Sequence, residues 1–181
     1  MKRLLVSLTK KIVLTALALC LVGCLGVPEG ARPVQDFTLD NYLGKWYEIA
    51  RLDHSFERGL SNVTAEYSLR DDGGVSVINR GFKTTTNKWK DAEGKAYFVE
   101  DTSTGKLKVS FFGPFYGAYN VIALDKEAYQ WSLVVGPDTD YLWILSRTPE
   151  LDQVIVDQLL SQAKSLGFNT EDLIFVNHEQ K

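Results

Sequence analysis

The sequence predicts an all-β domain: an eight-stranded up-and-down antiparallel β-barrel with a C-terminal α-helix packed outside. Three observations carry this expectation. From about residue 37 to 147 the chain is a series of short β-branched and aromatic runs separated by turn residues, the pattern of a sandwich or barrel. Eight such runs follow one another through short connections, and a sheet of that size hides both edges by closing. After Arg147 the apolar spacing changes from period two to the period of a helix.

Composition allows one domain. With 181 residues, 45% hydrophobic and 24% charged, the chain is globular rather than disordered. A formal charge of −3 leaves no basic footprint, which argues against a nucleic-acid partner.

Residues 1–23 read as a signal peptide. Lys2, Arg3, Lys10 and Lys11 precede an uncharged apolar run over 12–22, too short to span a bilayer. The run ends in LVGC, with small Gly23 directly before Cys24. This resembles the bacterial lipoprotein signal, in which the cysteine is diacylated and becomes the mature N-terminus. The alternative is an ordinary cleavage site with an incidental cysteine. Processing at Cys24 leaves no second cysteine for a disulfide and shifts the balance from 20 basic and 23 acidic residues to 16 and 23. So acidic a body is not drawn to an anionic surface, and the acyl chains must hold it there. Leu25, rather than Asp, after the cysteine looks like sorting to the outer membrane, where the periplasmic face is the expected side. Residues 24–36 then form the lipidated N-terminus and a Gly- and Pro-containing tether, and 37–181 the folded domain.

The expected strands are 45–52, 62–69, 75–82, 94–100, 106–112, 116–124, 129–135 and 141–147. The second, NVTAEYSL, alternates strictly, and DDGG at 71–74 supplies the turn after it. Thr148 and Pro149 read as an N-cap and first-turn pair. Leu151, Val154, Ile155, Leu159, Ala163 and Leu166 then make one apolar stripe, and Gly167 ends it. LIFV at 173–176 reads as one more edge strand. The first strand, GKWYEIAR, is apolar on both faces. If the helix lies across it, Tyr47 and Ile49 pack beneath the helix while Trp46, Glu48, Ala50 and Leu52 face the barrel interior. An unpaired carboxylate at Glu48 would have a raised pKa, so it either pairs with Asn120 or an arginine or stays neutral.

Three motifs now bring a family into view. GKWYE after a short leader, GPDTDYLWIL at 136–145 and SRTP containing Arg147 resemble the sequence signatures of the lipocalins. Over nearly the whole mature chain the likeness is to the bacterial outer-membrane lipocalins, relatives of apolipoprotein D. The resemblance implies that Gly44, Trp46 and Arg147 are structural, with the Arg147 guanidinium stacked on Trp46 at the closed end. It also implies a fatty acid or lysophospholipid ligand.

Strand alternation assigns the cavity wall to Glu48, Ala50, Leu52, Tyr67, Phe111, Tyr116, Asn120, Tyr141 and Trp143, an apolar and aromatic lining suited to a hydrophobic molecule. The loop after the first strand would be a lid, with His54, Phe56 and Arg58 near a ligand head group. Lipid binding for storage or transport, in service of envelope maintenance, is the expected function. A lipid-modifying enzyme on the same barrel and a ligand-free structural lipoprotein are the alternatives. The sequence holds no GxSxG, HExxH or Gly-rich phosphate loop and only two histidines, so no catalytic residue, metal or cofactor is assigned. Nothing decides between a monomer and a homodimer.

Overall fold

The structure is a computed structural model describing residues 25–178, so the signal peptide and Cys24 lie outside the described residues. Nine strands are found among them: β1 Gly44–Arg51, β2 Leu60–Leu69, β3 Val75–Lys83, β4 Lys88–Phe98, β5 Lys106–Phe112, β6 Phe115–Leu124, β7 Trp131–Val135, β8 Leu142–Ser146 and β9 Ile174–Phe175. Each of β1 to β7 pairs antiparallel with the next. The barrel closes because β1 pairs with β2 through Gly44↔Tyr67 to Tyr47↔Thr64 and with β8 through Tyr47↔Ser146 to Arg51↔Trp143. Beyond Tyr47 the β2 side of β1 is taken by β9, which pairs Phe175 with Ala50. The turns after β1, β3, β5 and β7 gather at one end, the mouth.

The opposite end is plugged by aromatic side chains. A short helix α1, Leu39–Tyr42, brings buried Tyr42 under the barrel. Its hydroxyl is 2.8 Å from the Tyr119 hydroxyl and 3.2 Å from Ser132 Oγ, and Tyr119 is 2.9 Å from the Tyr67 hydroxyl. Burial pushes the Tyr42 phenol up to about 12 and those of Tyr67 and Tyr119 well above their usual range. All three therefore stay protonated and able to donate. Trp46 Nε1 donates to Tyr42 O at 2.8 Å. The Arg147 guanidinium lies 3.9 Å over the Trp46 ring and donates to the carbonyls of Asn41, Lys45 and Tyr129. Gly44 has φ +89, a conformation that glycine adopts without strain.

The C-terminal helix α2, Gln153–Ser165, is capped by Asp152, whose carboxylate accepts from Val154 N at 2.8 Å. The expected cap at Thr148 and Pro149 is therefore corrected: Thr148 Oγ1 instead donates to Glu150 O within the preceding turn. At the other end Gly167, φ +85, donates to Lys164 O and Phe168 N donates to Ala163 O. This paired closure is what a left-handed residue after a helix allows. Val156, Leu159 and Ala163 are buried against Leu133, Val135, Leu142 and Ile144 of β7 and β8.

The interior phase of β1 changes partway along. Its register with β8 runs Glu48↔Leu145 and then Ala50↔Ile144, leaving Ile49 as an extra residue in a β-bulge. Trp46 and Glu48 face inward before the bulge and Arg51 faces inward after it, while Ala50 and Leu52 turn toward the helix-covered wall. Tyr47 is not beneath the helix either. Its ring meets His178 edge-on at 5.4 Å and lies under Lys45 Nζ.

Residues 26–36 are docked along the barrel, which corrects their reading as a free tether. Val34 N donates to Val121 O and Gly105 N to Val34 O, so this segment is tied to β6 and to the turn before β5. Val27 and Ala31 join the apolar cluster under α2.

Candidate functional site

The inner faces of the strands fall into two zones. Toward the closed end, Tyr67, Val75, Val77, Ala96, Leu107 and Val121 are buried in one cluster with Trp46 and Leu145. Toward the mouth the same faces open to solvent. The β3 to β4 register has no bulge, so the inward phase set by Val75 and Val77 continues through Asn79, Gly81 and Lys83. Opposite them stand Gly94, Ala92, Lys90 and Lys88. Ala92, Lys90 and Lys88 are exposed although they face the barrel axis, and Ala65, Val109, Phe111 and Trp143 are only half-buried. Phe111 lies over Gly94, where an added Cβ would sit 2.8 Å from its ring. The result is a pit with a dry aromatic floor, apolar walls and inward-facing lysines at one lip.

Beneath the loop that follows β1 lies a buried polar cluster. Arg51 is 1% exposed. Its Nη1 donates to Glu48 Oε1 and its Nη2 to Glu57 O at 3.0 Å. Trp143 Nε1 donates to Glu57 Oε2 at 3.1 Å. His54 Nε2 stands 2.9 Å from the same oxygen, an ion-pair distance outside hydrogen-bond alignment. The His54 ring also packs against Trp143 and Tyr141, at 5.1 and 6.1 Å between centroids.

The two carboxyls of this cluster differ. Burial and the neighbouring Glu57 charge raise Glu48 well above the ordinary range, and Arg51 offsets this only in part. Burial also pushes Glu57 up, but the close His54 ring, the Trp143 N–H bond and the Arg51 charge outweigh it, and the carboxyl ends below its ordinary value. Of the two carboxyls, Glu48 therefore holds its proton more tightly than Glu57, as expected when two carboxyls share a dry site. Arg51 Nε and His54 Nδ1 are buried without a hydrogen-bond partner among the described residues.

Of the residues read as cavity wall, Glu48, Tyr67, Phe111, Tyr141 and Trp143 occupy the interior or its mouth. Ala50, Leu52, Tyr116 and Asn120 do not. Ala50 and Leu52 belong to the wall beneath α2 because of the bulge at Ile49. Tyr116 is on the outer face under Lys108 Nζ, and Asn120, two periods along, donates from Nδ2 to Gly26 O and Gly136 O. Alternation in β6 gave no clue to its sense, because the docked N-terminal segment buries the outer face as well. Inward-facing residues of β6 are instead Tyr119 and Val121.

In the loop, His54 is tucked beneath the chain, Phe56 projects outward, and Arg58 is held at the surface by Asp53 at 2.7 Å. Sequence reasoning missed Arg51, Glu57, Lys88 and Lys90. Only the anomaly of a carboxylate at Glu48 pointed toward the first two. Lys88 and Lys90 fell in a stretch with no apolar face to mark it as a strand.

Comparison with known proteins gives one consistent answer. The Lipocalin-like domain model matches residues 37–178. Outer membrane lipoprotein Blc of Vibrio cholerae is 59% identical over 166 residues, covering 90% of this chain and 97% of the relative. Apolipoprotein D of Bos taurus is 38% identical over 173 residues, covering 84% and 88%. Among solved structures, insecticyanin from the tobacco hornworm Manduca sexta superposes with a TM-score of 0.69 at 24% identity, covering 86% of this chain and 88% of that one.

Proposed function

The chain belongs to the lipocalin family, and from that premise we propose that it is an outer-membrane lipoprotein, anchored through Cys24, that holds a fatty acid or lysophospholipid in its barrel. The observation that carries this reading is the contrast along the inner faces, buried toward the floor but open toward the mouth, with apolar walls under a lysine-bearing lip. An acyl chain suits such a pit. Each buried methylene contributes about 0.8 kcal/mol, so a long chain supplies roughly 10 kcal/mol before the costs of immobilising it. Phe111, Trp143 and Val109 meet the chain, and the carboxylate or phosphate head lies at Lys88 and Lys90, where solvent still reaches it. This replaces the expectation that Arg58 meets the head group, since Asp53 already neutralises that side chain.

The role is storage or transport of lipid at the envelope, without catalysis. No group in the pit combines a nucleophile with a base, and the His54 and Glu57 side chains are occupied in the loop cluster.

The test uses the soluble form made by replacing Cys24. Native mass spectrometry after mild purification should find a lipid-sized adduct. A fluorescent fatty acid should bind, and Lys88→Gln with Lys90→Gln should weaken it severalfold while leaving its methyl ester unaffected. A barrel with no adduct and no probe binding would sink the proposal in favour of a structural lipoprotein. Turnover of the lipid would sink it in favour of an enzyme.

A further inference from the structure

Among the described residues, five large aromatic side chains project into solvent, and four of them lie at the mouth; the fifth, Phe175 of β9, stands on the outer wall beside Ala50. Phe56 is on the loop after β1 and is 69% exposed. Trp89, 49% exposed, is near the tip of the β3–β4 hairpin, on its outer face. Phe112 and Phe115 flank the Gly113–Pro114 turn at 71% and 78%. Such a cluster on one end of a folded domain marks a surface made to be covered.

The docked N-terminal segment indicates what covers it. Gly26 O accepts from Asn120 Nδ2 at 3.0 Å, beside Gly136 at the start of the β7–β8 turn, so Gly26, two residues from Cys24 in sequence, stands on the mouth side of the barrel. Cys24 and Leu25 together span at most roughly 7 Å. Along β6 the five residues from Asn120 to Phe115 rise roughly 16 Å in the same direction. A lipid on Cys24 therefore enters its bilayer at a level that the Phe112–Phe115 tip also reaches. A barrel held with its closed end toward the bilayer would need a tether longer than the one available.

Charge agrees with that orientation. The closed-end turns carry Asp71, Asp72, Glu100, Asp101, Asp125 and Glu127 against Arg70 and Lys126. At the mouth, the tips at 84–87 and 113–114 have no carboxylate, and Lys83 and Lys88 flank the first. Asp53 is paired with Arg58 and Glu57 is buried beneath its own loop, leaving Asp138 and Asp140 confined to the β7–β8 turn. An anionic lipid surface repels the closed end and tolerates the mouth.

We propose that the aromatic rim of Phe56, Trp89, Phe112 and Phe115 is a membrane-docking surface, seated in the bilayer that holds acylated Cys24, so that the barrel opens directly onto lipid. The arrangement exchanges acyl chains between bilayer and pit without carrying them through water. It rests on acylation of Cys24, which intact mass verifies separately, and not on the identity of the pit's ligand.

The experiment uses the acylated full chain in vesicles of phosphatidylethanolamine with a minority of phosphatidylglycerol. Because the Cys24 sulfur is blocked by its lipid, a single introduced thiol can carry an environment-sensitive dye. In Phe115→Cys the dye should shift to the blue and be quenched by brominated acyl chains several times more strongly than in Glu127→Cys, at the closed end. In Phe56→Cys it should behave likewise, and adding Phe112→Ser and Phe115→Ser should reduce that quenching with the anchor intact. Equal, absent or reversed quenching would overturn the proposal. So would a blue shift at 115 that grows with protein concentration in lipid-free detergent solution, since the rim would then be covered by a second copy.

Discussion

Replacing Glu48 by glutamine tests the buried cluster through the pH dependence of stability. Glu48 is raised well above the ordinary glutamate range by burial and by Glu57, with Arg51 opposing. A carboxyl whose folded pKa is raised binds more protons folded than unfolded. Its contribution is therefore greatest below the unfolded value and is lost as pH rises toward the folded one. One proton retained by the folded state gives a slope of up to about 1.4 kcal/mol per pH unit. Between about pH 5 and 7, wild-type stability should therefore fall through this group as pH rises. Glutamine keeps the shape and hydrogen-bonding edge of the neutral acid, so Glu48→Gln should lack this fall and should gain on the wild type as pH rises. Urea denaturation of the soluble form across that range, analysed as the difference between the two proteins, removes contributions common to both. A flat difference would refute the reasoning, because it would mean that Glu48 is ionised against Arg51 as an ordinary ion pair. A rising difference identifies Glu57 as the carboxylate that Arg51 neutralises. Its depressed pKa makes the opposite contribution, present at neutral pH and lost in acid as pH falls through its folded value.

Other consequences follow from the placements above. Arg147→Ala removes both the stack on Trp46 and three carbonyl contacts, and should cost about 2–4 kcal/mol in urea unfolding. Lysine should recover little of it, for want of the planar fork. Asp152→Ala should cost about 1 kcal/mol through loss of the cap on Val154 N; an equal or larger loss in Thr148→Ala would restore the earlier cap. Trp143→Ala should weaken binding of a fluorescent fatty acid severalfold, whereas Tyr116→Ala, on the outer wall, should leave it unchanged in the same titration. Gly167→Ala should lower stability by about 1 kcal/mol because alanine resists the φ of +85 that closes α2.

Where each wall of the barrel has one wet face, the sequence is legible. β2 alternates Ala65 and Tyr67 against Thr64, Glu66 and Ser68, and its inward face is assigned correctly from that alternation. The Trp46–Arg147 pair is legible for a different reason, since a family motif names both residues. Legibility fails in two opposite circumstances. In β1 and β6 both faces are buried, one by the interior and one by α2 or the docked N-terminal segment, so no polar face reveals the phase. In the first half of β4 neither face is buried. Lys88, Lys90 and Ala92 look into an open mouth while Trp89, Asp91 and Glu93 look outward, and an open pit erases the apolar face from which its own wall would be read.

Two of the four register shifts in the sheet connect these failures to the site. One adds Ile49 to β1, and the other disturbs β6 between Val121 and Ala123, placing Ile122 at the irregularity. Both isoleucines are buried in the cluster under α2. A bulge sharpens local twist and admits one extra side chain on a given side of the sheet, so each enlarges the apolar seat of the helix. In β1 the same extra residue reverses the alternation that follows, bringing Arg51 inward three positions after Glu48. With Ile49 kept in regular alternation, Arg51 would point toward the helix and Glu48 and Glu57 would share the interior with no cation. The packing of the outer helix and the charge balance beneath the mouth loop thus depend on one backbone irregularity. Deleting Ile49 should therefore separate the two roles: the helix seat loses a side chain and stability falls, while plain alternation still sets Ala50 outward and Arg51 inward beside Glu48.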